Sequence, residues 1–149
     1  MIDRVEKCVA VGIKKGLDVS YLIMEDWDED QILQIFGGLE DGLDVSLYAK
    51  KEFNWKQMTH IRCGLVDGLD ASVYAKKEFS NLQMDQIRKG LRDGLDVSIY
   101  AKKEFDWRQM AEIRIGIKQG LDVSVYAKKE IDWGEMKEIR ERLLREKRR

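Results

Sequence analysis

Residues 94–119 read GLDVSIYAKKEFDWRQMAEIRIGIKQ, and residues 42–67 read GLDVSLYAKKEFNWKQMTHIRCGLVD. The two stretches agree at 17 of 26 positions, which chance does not produce. The same opening, Gly-Leu-Asp-Val-Ser, starts at Gly16 and Gly120, and a form with Ala71 in place of valine starts at Gly68. The step is 26 residues each time, and a fixed period of that length is the signature of stacked repeats, none of which can bury its apolar face alone.

Within a repeat the second half is a helix. A capping-box pair opens it each time: Asp28 with Gln31, Asn54 with Gln57, Ser80 with Gln83, Asp106 with Gln109, Asp132 with Glu135. The first side chain of each pair accepts from an early helical N–H, and the second reaches back to the cap. Apolar residues follow at helical spacing, as in Trp55, Met58, Ile61 and Leu65, and predict one buried stripe. The next Gly-Leu ends the helix, because its glycine can take the left-handed C′ conformation. A shorter helix is expected over Val-Ser-x-Tyr-Ala-Lys-Lys, capped by Asp44, Asp70, Asp96 or Asp122 and burying Val45, Tyr48, Ala49 and Phe53. A strand is the competing reading, but no sustained alternation supports it.

The expected fold is therefore all-α: an α-solenoid-like or compact array of tandem 26-residue two-helix repeats, six longer helices alternating with five short ones. Its hand is set as right-handed by analogy only. One helical-repeat domain covers 1–149, with repeats starting at 16, 42, 68, 94 and 120. An amino-terminal capping helix is expected over about 2–15 and a carboxy-terminal one over about 133–149. The ends depart from the consensus as caps should. Leu22 stands in the tyrosine place and Trp27 in the phenylalanine place, while Arg142 and Glu146 replace the two glycines of the last repeat.

The chain has 149 residues, no proline and a net charge of −1, from 27 Lys plus Arg against 28 Asp plus Glu. A balanced charge gives no wholesale attraction to nucleic acid or anionic lipid. No apolar run is long enough to span a membrane, so no membrane partner is expected. Two cysteines, Cys8 and Cys63, make no disulfide framework and read as free thiols of a cytoplasmic protein.

Several residue series recur once per repeat. The first glycine of each pair, such as Gly38 or Gly64, would let a helix or ring approach closely. Tyr48, Tyr74, Tyr100 and Tyr126, and Trp55, Trp107 and Trp133, could stack on bases if exposed. Spacing stacked repeats in the core is the favoured reading, with the tyrosine hydroxyls able to reach the surface. Binding is assigned instead to the charged series expected to be exposed: Lys50, Lys51, Lys76, Lys77, Lys102, Lys103, Lys128 and Lys129, with Arg62, Arg88 and Arg114. The plain alternative is a solvated surface ion-paired with neighbouring acids.

Catalysis finds no support. His60 is the one histidine, expected to be exposed, and its pair with Cys63 lacks an orienting third group. Two cysteines are too few for a zinc site, and no cofactor is implied. The acidic cluster Glu25, Asp26, Asp28, Glu29 and Asp30, and a basic end with six cations against two acids over 139–149, allow self-association of copies.

The motif Gly-Leu-Asp-Val-Ser-x-Tyr-Ala, followed by Glu-Phe-x-Trp-x-Gln-Met-x-x-Ile-Arg-x-Gly-Leu, resembles short helical tandem repeats of Gram-positive gut bacteria, their phages and mobile elements. The resemblance covers about residues 12–140. It implies a small helical-repeat protein of mobile-element origin, for which an anti-defence role is one expectation, and it transfers no catalytic residue. Related repeats carry a proline near the Lys-Lys pair that this chain lacks. The leading expectation is a non-enzymatic protein-binding repeat array. A nucleic-acid or signalling-nucleotide binder using Lys, Arg and Tyr ladders is the second, and a self-assembling structural protein the third.

Overall fold

In the computed structural model, residues 3–149 are described, and among them every regular element is helical. They fall into two compact bodies, Met1–Lys77 and Glu78–Arg149. The first holds α1 (Arg4–Lys15), α2 (Ser20–Ile23), α3 (Glu29–Glu40) and α4 (Trp55–Val66). The second holds α5 (Asn81–Arg92), α6 (Trp107–Lys118) and α7 (Trp133–Lys147). Packing within each body is sequential: α1 on α3 and α3 on α4 in the first, α5 on α6 and α6 on α7 in the second.

The expected six long helices are these, less the one-turn α2. The start of α1 expected at residue 2 lies outside the described residues; its N-cap is Asp3, whose side chain accepts from the Glu6 N–H. The expected short helix is overturned in four of five repeats. It is a single 3-10 turn, at Val45–Leu47, Ala71–Val73, Val97–Ile99 and Val123–Val125. The cap was read correctly: Asp44 Oδ1 accepts from Ser46 N at 3.1 Å, and Asp70, Asp96 and Asp122 do likewise. A serine two residues after the cap competes for that carboxylate and tightens the chain into a turn before a second helical turn can form.

Both glycines of each pair have a steric reason. Gly42, Gly68, Gly94 and Gly120 sit at φ between 71° and 75°, where an L side chain is strained. There the backbone closes a Schellman motif, as in Leu69 N to Gly64 O (2.9 Å) and Gly68 N to Leu65 O (3.1 Å). The earlier glycine makes room for the tyrosine. A β-carbon at Gly38, Gly64, Gly90 or Gly116 would overlap the hydroxyl of Tyr48, Tyr74, Tyr100 or Tyr126.

Those four rings are fully buried, with 0% exposure. Each hydroxyl donates to a carbonyl of the preceding long helix: Tyr48 to Gln34 O at 2.6 Å, Tyr74 to His60 O at 2.6 Å, Tyr100 to Gln86 O and Tyr126 to Glu112 O at 2.7 Å. The expectation that these hydroxyls could reach the surface is therefore corrected. A buried phenol needs an acceptor, and the glycine beside it exposes one. Around the rings lie Met58, Met84, Met110 and Met136 and Ile61, Ile87 and Ile113, all at 0% exposure.

The capping-box glutamines do more than cap. Gln31 Oε1 accepts from the Asp28 N–H while its Nε2 donates to Phe53 O, at 3.0 and 2.8 Å. Gln83 reaches Phe105 O and Gln109 reaches Ile131 O in the same way, at 2.6 and 2.8 Å. Each such glutamine ties the start of its own helix to the residue just before the next helix's N-cap. In α7 the equivalent Glu135 has no side-chain donor, and only the Asp132 half of the box forms. Arg142 also fills its glycine place, and α7 runs on as expected to Lys147, whose Nζ donates to Gln119 O at 2.8 Å.

Candidate functional site

The side chains assigned to binding separate into two groups. The lysine pairs Lys50/Lys51, Lys76/Lys77, Lys102/Lys103 and Lys128/Lys129 are all exposed, on the connection between each turn and the next long helix. Lys51 is partly engaged, since its ammonium lies 5.8 Å from the centre of the Trp27 ring and donates to Asp26 O. It lines a shallow recess of about 400 Å³ with Met24, Glu25, Ala49, Lys50 and Glu52, a lining of mixed charge.

The arginines, unlike most of the lysines, are bonded within the chain. Arg62 donates to Gln34 Oε1 and to Asp41 Oδ2, at 3.4 and 3.2 Å. Arg114 Nε donates to Gln86 Oε1 at 2.9 Å, and Arg88 to Asp85 Oδ1 at 2.8 Å. The last of the series, Arg140, is 9% exposed and bonds Glu112 Oε2 at 2.7 Å. Arg62, Arg114 and Arg140 thus tie two neighbouring long helices through a polar residue 28 positions earlier, Gln34, Gln86 and Glu112, whereas Arg88 bonds within its own helix. His60 holds the same place in its repeat and is half-buried, not exposed as expected. Cys8 is buried and Cys63 half-buried, and burial holds the Cys8 thiol above its ordinary range, against a reactive thiolate.

The tryptophans go the other way from the expectation of core. Trp55 is 39% and Trp133 40% exposed, and Trp107 is half-buried. Each is the first residue of its helix, directly after the N-cap, on the flank of the buried stripe. Trp27 is different: it fills the phenylalanine place, is 7% exposed and donates its indole N–H to Tyr21 O at 2.9 Å.

In the second body, two of the flank indoles come together. The Arg108 guanidinium carbon lies 5.2 Å from the Trp107 ring centre and 5.3 Å from that of Trp133. A cleft of about 320 Å³ opens there, lined by Trp107, Arg108, Ala111, Glu112 and Trp133. Arg108 was not singled out in the sequence. The signal was available: an arginine next to a tryptophan at a helix start, in a chain whose next repeat brings a second tryptophan 26 residues on.

The two charged ends are less available than their composition suggests. Asp28 is the N-cap of α3, and Glu29 pairs with Arg4 at 3.6 Å. At the other end Arg140 and Lys147 are bonded internally, while Arg142, Arg145, Arg148 and Arg149 stay exposed. Among the described residues no group of three or more His, Cys, Asp or Glu side chains could hold a metal ion. No described helix is long and apolar enough to cross a membrane. Compared with protein-family models, curated proteins and solved structures, the chain matches none.

Proposed function

We propose that this chain is a non-enzymatic helical-repeat protein that engages a protein partner, its repeats stacked as a solenoid-like array. The observation that carries the reading is the placement of the aromatic residues. The recurring tyrosines and methionines are wholly buried, yet Trp55 and Trp133 are exposed and Trp107 is only half-buried. Exposed tryptophan beside arginine is the composition of protein-binding hot spots, and repeats display such residues at a regular spacing. The nucleotide-binding alternative draws on Lys, Arg and Tyr ladders, and two of those three are spent inside the fold.

The test is affinity capture from lysate of a Gram-positive gut bacterium with the intact chain and with Trp107→Ala/Trp133→Ala as bait. A protein retained by the first and lost from the second supports the reading. Recovery of the same proteins by both, or of none by folded bait, counts against it. The narrower reading, a phage or mobile-element inhibitor of a host defence enzyme, rests on the motif resemblance, and requires that the captured protein be such an enzyme and lose activity when bound.

A further inference from the structure

We propose that the cleft between Trp107 and Trp133 is a receptor for a carboxylate, with Arg108 as its anchor, and that its occupant is an acidic peptide segment of the partner protein. This rests on the protein-binding reading above and names the chemistry of its site.

Arg108 is set apart from the other arginines discussed. Arg62, Arg88, Arg114 and Arg140 each donate to a carboxylate or amide oxygen of the chain itself. Among the described residues nothing accepts a hydrogen bond from the Arg108 side chain, and it has no ion pair. What it has instead is two indoles, with ring centres at 5.2 and 5.3 Å from the guanidinium carbon. A guanidinium stacked on an indole by its face keeps its N–H edge available, and that edge matches a carboxylate with two parallel bonds. Contact with two rings also removes part of the side-chain freedom that a surface arginine would lose on binding.

The surroundings favour an anion with an apolar neighbour. Glu112, the one acidic residue lining the cleft, is bonded by Arg140 at 2.7 Å. The nearby N-cap carboxylates are occupied too: Asp106 accepts from the backbone of Arg108 and Gln109, and Asp132 from that of Glu135. Ala111 and the two indoles make the rest of the lining apolar. At about 320 Å³ the cleft takes one side chain and an adjoining acidic group, not a folded element. Arg108 is the only cation in the lining, which suits a singly charged carboxylate better than a phosphate chain, whose binding sites gather several basic groups.

The experiment uses the intact 149-residue chain and ¹⁵N–¹H spectra. The probes are an acetylated, amidated peptide with the core Leu-Glu-Glu-Leu and its Leu-Gln-Gln-Leu counterpart. The acidic peptide should shift the indole N–H signals of Trp107 and Trp133 and the amide of Ala111, and leave Trp27 and Trp55 in place. The glutamine peptide, and the acidic peptide with Arg108→Gln, should bind about tenfold more weakly or worse; Arg108→Lys should fall between, keeping charge but losing the fork. Unchanged spectra of Arg108→Gln away from the cleft show that it folds. Equal affinity for the two peptides, no shift at the indoles, or tighter binding of inorganic phosphate or AMP would overturn the proposal. So would concentration-dependent sedimentation abolished by Arg108→Gln, which would make a second copy the occupant. If lysate capture survives Arg108→Gln while the peptide fails, the cleft assignment falls and the protein-binding reading stands. If the peptide binds as expected but capture recovers nothing specific, it is the broader reading that falls.

Discussion

The tyrosines and the tryptophans of this chain recur at the same period and yet play opposite parts. Tyr48, Tyr74, Tyr100 and Tyr126 are completely buried; Trp55 and Trp133 are about two-fifths exposed. The difference lies in what each ring finds around it. A glycine ten residues before each tyrosine removes the β-carbon that would overlap the hydroxyl, and a helix carbonyl accepts from it. No such seat exists for a residue at the first position of a long helix, where the side chain lies beside the stripe. Recurrence inside a chain shows that a position matters. The small residue opposite shows whether the position is interior.

The comparison breaks most severely where a seat is emptied. Tyr100→Ala should destabilise the chain by about 3–5 kcal/mol in denaturant unfolding, as truncation of a buried aromatic does. The cations divide in the same way as the rings, and Arg140→Met should cost about 3 kcal/mol or more because it strands the buried Glu112 carboxylate. Glu112→Gln should cost far less, since Gln86 already serves Arg114 in that role. Filling the seat from the other side, Gly90→Ala should cost about 1–3 kcal/mol by overpacking. Tyr100→Phe alone should cost about 1 kcal/mol through its hydrogen bond. In Gly90→Ala/Tyr100→Phe the penalties should be less than additive, because the phenylalanine lacks the most overlapped atom, the contact with Val97 Cγ1 at 2.6 Å remaining. Additive losses would show that hydroxyl and glycine are not a matched pair.

Burial also sets a pH dependence. Tyr48, Tyr100 and Tyr126 are held protonated above their ordinary value, first by desolvation. A folded-state value above the unfolded one means that their contribution is intact below the unfolded value, near 10, and declines as pH rises through the folded value. Phenolate absorbance from these rings should therefore appear together with loss of helical circular dichroism. Its appearance in a folded chain near pH 10 would contradict the buried seat. The smallest effect belongs to the tryptophans: Trp133→Ala should change stability by under about 1 kcal/mol while abolishing partner capture. A loss comparable to that of Tyr100→Ala would place the indole with the core.

Much of this was legible in order of residues alone. The 26-residue period, the capping boxes from Asp28 to Asp106, the left-handed glycines and the buried Val45, Tyr48, Ala49 and Phe53 follow from local chemistry that each repeat states again. These are matters of backbone hydrogen bonding and steric freedom over a few neighbours, so the sequence determines them. Three things needed the tertiary structure. The Asp-x-Ser segments close as 3-10 turns, where caps alone predicted helices. Arg62, Arg114 and Arg140 lie against an acceptor 28 residues back, and Gln31, Gln83 and Gln109 against a carbonyl 22 residues on. Trp107 and Trp133 converge on Arg108. The first turns on a local competition between serine and backbone for one carboxylate; the other two depend on which side chain of the neighbouring repeat arrives at a given place, a distance set by helix packing and invisible to any pattern read along one repeat.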